Sequence, residues 1–184
     1  GADMKNPPKG MWRGIPGIGV DVAKPNVAAI DGHCIGGGVV LVTMCDIAVA
    51  TERATFSYPE AQIGFTGGLI LALTPRIPYK VAMEFMLCGE RMGAQRAREA
   101  GMINEVVKPG DELAAAMRYA RILADSAPMV VEAIKSFALV MMPRSGPELA
   151  ARARGPLMEI GRSEDRLEGQ ASFREKRKPT FKRR

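Results

Sequence analysis

Apolar positions fall in short runs at the front of the chain and at helical spacing towards its end. Val27-Ala28-Ala29-Ile30 is led in by Lys24-Pro25 and closed by Asp31-Gly32, the pattern of a buried strand ending in a turn. Gly36-Gly37-Gly38 then precedes Val39 to Met44, and after Asp46 a second apolar run covers Ile47 to Ala50. Strand, glycine turn, short helix, strand is the simplest parse, and it predicts an α/β core. Upstream, Asn6 to Gly19 holds Pro7, Pro8, Gly10, Gly14, Pro16, Gly17 and Gly19, which predicts a loop.

Beyond the core the period changes. Pro78 suits the first turn of a helix through Val81, Ala82, Phe85 and Met86 to Gly89, and a shorter helix is predicted over Ala94 to Ala100. Ile103 to Val107 reads as a strand. From Asp111, the expected N-cap, Leu113, Ala116, Met117, Ala120 and Leu123 follow one helical stripe. Pro128 opens the next helix, with an apolar face of Val131, Ile134, Phe137, Ala138 and Met141, and a third from Pro147 is expected to kink or split at Gly155-Pro156. The chain thus divides into an α/β core over 1–110 and a helical region over 111–184. That region has more apolar faces than one layer needs and is expected to pack on another subunit.

Composition adds bounds. In 184 residues, 47% hydrophobic and 25% charged describe an ordinary globular protein with one main core and exclude general disorder. The longest uncharged stretch, Ala61 to Pro75, is too short for a membrane helix. No export signal stands at the start, and because the chain opens at Gly1 without an initiator methionine, an upstream segment is expected to have been removed or left out. Cys34, Cys45 and Cys88, with His33 as the sole histidine, support neither a disulfide framework nor a zinc site, and a reducing cytoplasm fits best. The net charge is +6, and Arg174 to Arg184 sets seven basic residues against Glu175, so the body is neutral. Such a tail suits nucleic acid, an anionic membrane or a phosphorylated small molecule; a merely solvated terminus is the plain alternative.

Candidate chemistry is sparse. The glycine triplet opening a helix should aim N–H groups outward, where they could hold an oxyanion or phosphate, although close packing of helix on strand explains the glycines equally well. Gly17-Ile18-Gly19 has Val22 where a dinucleotide fingerprint needs its last glycine, and no phosphate-loop motif exists. Glu60, among Phe56, Tyr58, Ala61 and Ile63, sits in an apolar setting that would raise its pKa and suit proton transfer, or is a partly exposed loop carboxylate. His33 and Cys34, lacking partners, read as packing residues.

The run KPNVAAIDGHCIGGGVVLVTMCDIAVATERATFSYPEAQIGF, Lys24 to Phe65, resembles the signature of the enoyl-CoA hydratase/isomerase, or crotonase, family. The resemblance continues through LCGERMGAQRAREAGMINEVV, Leu87 to Val107, with Cys88 in the place of a threonine, and through the closing SEDRLEGQASFREKRKPTFKRR. Gly1-Ala2-Asp3-Met4-Lys5 is similar to the end of the family's first oxyanion motif, which implies that the repeats preceding that motif are missing here.

This resemblance implies a spiral of strand-strand-helix repeats followed by a helical region that assembles trimers or hexamers. It implies an acyl-CoA thioester as substrate, as in fatty acid metabolism, held by the backbone N–H groups of Ala2 and Gly37. Gly36, Gly38, Val40, Asp3, Pro59, Gly68, Phe181 and Lys182 are the implied substrate-binding positions. No cofactor is implied beyond the coenzyme A of the substrate, and no metal, nucleic acid or membrane. Hydratases of the family use two glutamates; Glu60 matches the second, and the first falls at Val40. Gly67-Gly68 supply no substitute carboxylate. Hydration needs both an activated water and a proton donor, whereas one base can shift a double bond. An isomerase-like reaction with Glu60 as sole acid/base is therefore favoured, against a coenzyme A-binding or scaffold protein without turnover. Nucleic-acid binding through the tail is a distant third.

Overall fold

The computed structural model describes residues 10–184. Its front half repeats one unit: two short strands at a corner, then a helix. β1 (Val27–Ile30) and β2 (His33–Ile35) lead into α1 (Gly37–Thr43), and β3 (Ile47–Thr51) and β4 (Thr55–Ser57) lead into the single-turn α2 (Glu60–Ile63). The two strands of each unit go to different sheets. Odd strands β1 and β3, with β6 (Glu105–Val107), form one parallel sheet in the order β1-β3-β6; β2, β4 and β5 (Met92–Gly93) form the other, with β5 antiparallel.

The corner is held by its own residues. Gly32 takes φ +68°, a backbone state that favours glycine, and its carbonyl accepts from Thr55 N–H at 2.9 Å. Asp31 accepts from Thr51 Oγ1 and Arg53 Nε, both at 2.7 Å, and the Arg53 bonds hold its carboxyl below the ordinary range. Sequence alone reads through β2 as part of a turn. Three residues are too few for an alternating pattern, and only the pairing of Cys34 with Phe56 makes them a strand.

A 3-10 turn (Leu69–Leu73) and α3 (Tyr79–Cys88) follow, then β5, α4 (Ala94–Glu99) and β6. Phe56, Leu73, Val39 and Val49 are the largest side chains sealed in the core. α5 (Glu112–Ala124) covers the sheet at β1 and β3. Asp111 stands at its N-cap position without a side-chain bond; Glu112 instead accepts from Gly110 N–H at 2.9 Å. α6 (Pro128–Met141) buries none of its residues fully: Ile134, Phe137 and Met141 of its predicted apolar face are 63%, 70% and 82% exposed.

α7 (Gly146–Arg162) runs through Pro156 as one helix, so of the expected kink or split at Gly155-Pro156 the split does not occur. A proline removes one hydrogen bond, and the start of this helix is secured elsewhere: Ser145 accepts from Glu148 N–H while Glu148 accepts from Ser145 N–H at 2.9 Å. α8 (Glu164–Glu175) closes the fold. Among the described residues no helix is long and apolar enough to cross a membrane.

Candidate active site

The parallel pairing of β2 with β4 sets Ile35 opposite Ser57, and the Gly36 N–H donates to the Ser57 carbonyl at 3.0 Å. The chain then turns sharply at Gly36 (φ +56°, ψ −112°) into α1. Val40 is the first N–H of that helix to find a carbonyl, that of Gly36; those of Gly37, Gly38 and Val39 find none among the described residues. Three unpaired donors at the positive end of a helix are suited to an anionic oxygen.

From the end of β4 the chain needs only Tyr58 and Pro59 to bring Glu60 back over this turn. A Cβ on Gly36 would lie 2.5 Å from Glu60 Oε1, so glycine is required there by space as well as by φ. Glu60 Oε2 is buried and has no hydrogen-bond partner among the described residues. Burial pushes the Glu60 carboxyl above its ordinary pKa. Neighbouring contacts fix α2: Gln62 Nε2 donates to the Cys88 carbonyl at 2.8 Å, and Tyr58 shares a 2.9 Å hydrogen bond with Thr66. A raised carboxyl beside unpaired N–H groups can exchange a proton with a carbon whose carbonyl those groups hold.

The other positions singled out from sequence are spread more widely. Ala2 and Asp3 lie outside the described residues. Gly38 packs on Cys34 Sγ, 3.4 Å from where its Cβ would be, and burial pushes the Cys34 thiol up to about 11. Val40 is 5% exposed and belongs to the core cluster. Pro59 caps α2, and Gly68 abuts Pro147 at the start of α7. His33 differs from its expected packing role: its ring is exposed and bonds Thr55 Oγ1 at 2.8 Å.

Phe181 and Lys182 contact α8 through a folded-back tail. Asp165 accepts from Lys182 N–H at 2.6 Å and Arg183 N–H at 2.7 Å, and Phe181 rests near Gly169. Arg177 bridges Glu168 and Glu175, holding the Glu168 carboxyl down to about 2. Arg184 pairs with Glu164. These carboxylates offset part of the tail's charge.

Sequence reasoning missed one neighbour of the site. Met11, in the 3-10 turn Met11–Gly14, lays its tip on Gly37, where a Cβ would sit 2.9 Å from its Sδ. Nothing in local sequence signals a contact across that separation. A groove of about 400 Å³ opens elsewhere, at the C-terminal end of α1, lined by Met44, Cys45, Arg76, Asn104, Lys135 and others; Glu60 and the glycines take no part in it.

The profile of the enoyl-CoA hydratase/isomerase family matches residues 17–184. Carnitinyl-CoA dehydratase of Proteus mirabilis is 36% identical over 173 residues, covering 88% of this chain. The chain spans 64% of that relative's length. Among solved structures, a carnitinyl-CoA hydratase from Mycobacterium avium is similar at TM-score 0.64 and 35% identity, covering 89% of this chain and 65% of its own. An enoyl-CoA hydratase from Mycobacterium marinum gives 0.65 and 34%, covering 90% and 68%.

Proposed function

The chain belongs to the enoyl-CoA hydratase/isomerase family, with its crotonase fold, and on that premise we propose that it processes an acyl-CoA thioester through an enolate, with Glu60 as the acid/base. The observation that carries this reading is the Glu60 carboxylate lying against Gly36, at the helix start where the Gly37 N–H finds no acceptor among the described residues. The thioester oxygen takes the Gly37 N–H, and Ala2 supplies the second donor. Each such donor is worth a factor of about 10²–10³ in turnover.

Glu60, raised by burial, removes a proton from the carbon beside the carbonyl and returns it to the far end of the resulting dienolate, which moves the double bond by one position. With valine at position 40, no second carboxylate activates water there, and this favours a one-base double-bond shift. Addition or removal of water is the second reading, favoured by the names of the dehydratase and hydratase relatives. Lys182 and its neighbours would meet the phosphates of coenzyme A. The exposed face of α6 would be covered by further copies of the chain, giving a trimer or its multiple by sedimentation.

The deciding experiment is Glu60→Gln assayed with a panel of enoyl-CoA esters. Acyl-CoA affinity should persist while turnover falls by roughly 10²–10⁴. Unchanged turnover on the best substrate would remove Glu60 from the mechanism, and a natural protein that binds acyl-CoA without turnover would mark a scaffold.

A further inference from the structure

A groove of about 400 Å³ lies away from Glu60, between α6 and the C-terminal end of α1, and its volume falls in the range of small-molecule sites. Val42, Leu73, Ile77, Met102, Leu139 and Met142 give it apolar walls, and Arg76 and Lys135 set two cations among them. The Lys135 side chain is 9% exposed and donates to the Lys24 carbonyl and to Asp46 Oδ2, both at 2.8 Å, so its charge is matched. Arg76 lacks such a match. Its guanidinium donates to the Ala72 carbonyl, and no carboxylate comes within ion-pair distance of it among the described residues. Glu148, whose charge Arg76 feels, is held by Ser145, whose N–H and Oγ–H both reach its Oε2 at 2.9 Å. Burial pushes the Arg76 guanidinium below its ordinary value. A half-buried cation without a counter-ion is costly, and this one lines a space large enough for a ligand that would supply it.

We propose that this groove is a second binding site, for an aliphatic monocarboxylate of medium length whose head pairs with Arg76 and whose hydrocarbon chain lies along the apolar walls. The planar guanidinium matches a carboxylate through two parallel N–H donors. Asp46 also lines the groove and repels a dianion such as phosphate, so a single negative charge is selected. Glu60 and the glycine turn take no part in the groove, so the site goes beyond the acyl-thioester reading and does not depend on it. Lys135, Ala138, Leu139 and Met142 come from α6, and an occupant therefore ties that helix to the core.

The test is calorimetry with sodium octanoate, octanol, octylamine and inorganic phosphate on the natural protein, Arg76→Gln, Arg76→Lys and Ala138→Trp. Octanoate should bind one per chain and at least about tenfold more tightly than the other probes, since the alcohol and amine bring no anion and phosphate no hydrocarbon. Arg76→Gln should lose at least about tenfold in octanoate affinity, and Arg76→Lys, which keeps the charge without the fork, a smaller amount. Ala138→Trp, at an exposed position of the groove wall, should fill the space and abolish binding with every charge in place. Octanoate that does not bind, binds no better than octanol, or binds Arg76→Gln and Ala138→Trp as it binds the natural protein overturns the site, and tighter binding of phosphate overturns the choice of ligand. Amide NMR of the natural protein serves even if a variant fails to fold. Octanoate should shift the signals of Cys45, Gly101 and Asn104, which line the groove; a shift at Gly37 with none at these three would put octanoate beside Glu60 and overturn the second site.

Discussion

Glu60 occupies the space that a side chain at Gly36 would need, its Oε1 lying 2.5 Å from the place of the missing Cβ. Gly36→Ala should therefore do two things at once. The strained backbone costs about 1–3 kcal/mol, visible as a lower denaturation midpoint, and the displaced carboxylate lowers turnover. A variant with natural stability and kinetics would contradict the contact.

The raised pKa of Glu60 carries a sign. The folded state holds the proton at pH values where the unfolded chain has released it, so ionisation of Glu60 lowers stability as pH rises past the ordinary 4.5 and through its folded value. Glu60→Gln removes that penalty. Its melting temperature relative to the natural protein should climb between about pH 4 and pH 8; an offset constant across that range would show that the carboxyl titrates normally.

Val40→Glu is the sharpest chemical test. Position 40 is one turn into α1 and 5% exposed, so a new carboxyl there lowers the melting temperature and is itself driven towards its protonated form. If it shares a water with Glu60, the pair supplies the protonated and ionised partners that hydration requires. The natural protein should hydrate a short 2-enoyl-CoA poorly and Val40→Glu measurably better, followed by loss of the conjugated thioester absorbance. Rapid hydration by the natural protein would overturn the one-base argument.

In the tail, Arg177 and Arg184 are engaged by Glu168, Glu175 and Glu164, which leaves Arg174, Lys176, Lys178, Lys182 and Arg183, and of these Lys178, Lys182 and Arg183 are the cations expected to meet phosphate. Changing these three to glutamine should weaken coenzyme A binding several-fold at 0.02 M salt and far less at 0.3 M, since exposed charges are screened over about 10 Å at 0.1 M. Arg177→Gln acts differently: it returns the Glu168 titration from about 2 towards its ordinary value, measurable by carboxyl carbon NMR. An affinity indifferent to the triple change would place the phosphates elsewhere.

Runs such as Val27 to Ile30 and Ile47 to Ala50, the helical stripe from Asp111 and the proline at the start of α6 are legible from sequence alone, because strand and helix signals are properties of neighbouring residues. Glu60 stood out by its apolar neighbours, and the glycine triplet by its place before a helix. Other features depend on pairing at a distance. β2, β4 and β5 have three residues or fewer and exist only through one another, and the register of Ile35 with Ser57 is what carries Glu60 to Gly36. The contact of Met11 with Gly37, the return of the tail onto Asp165 and the exposure of the α6 apolar face likewise have no local cause. Periodicity says which residues seek burial. Only the packed chain decides which of them find it, and which carboxylate ends beside which N–H, since those outcomes follow from geometry between segments far apart in sequence.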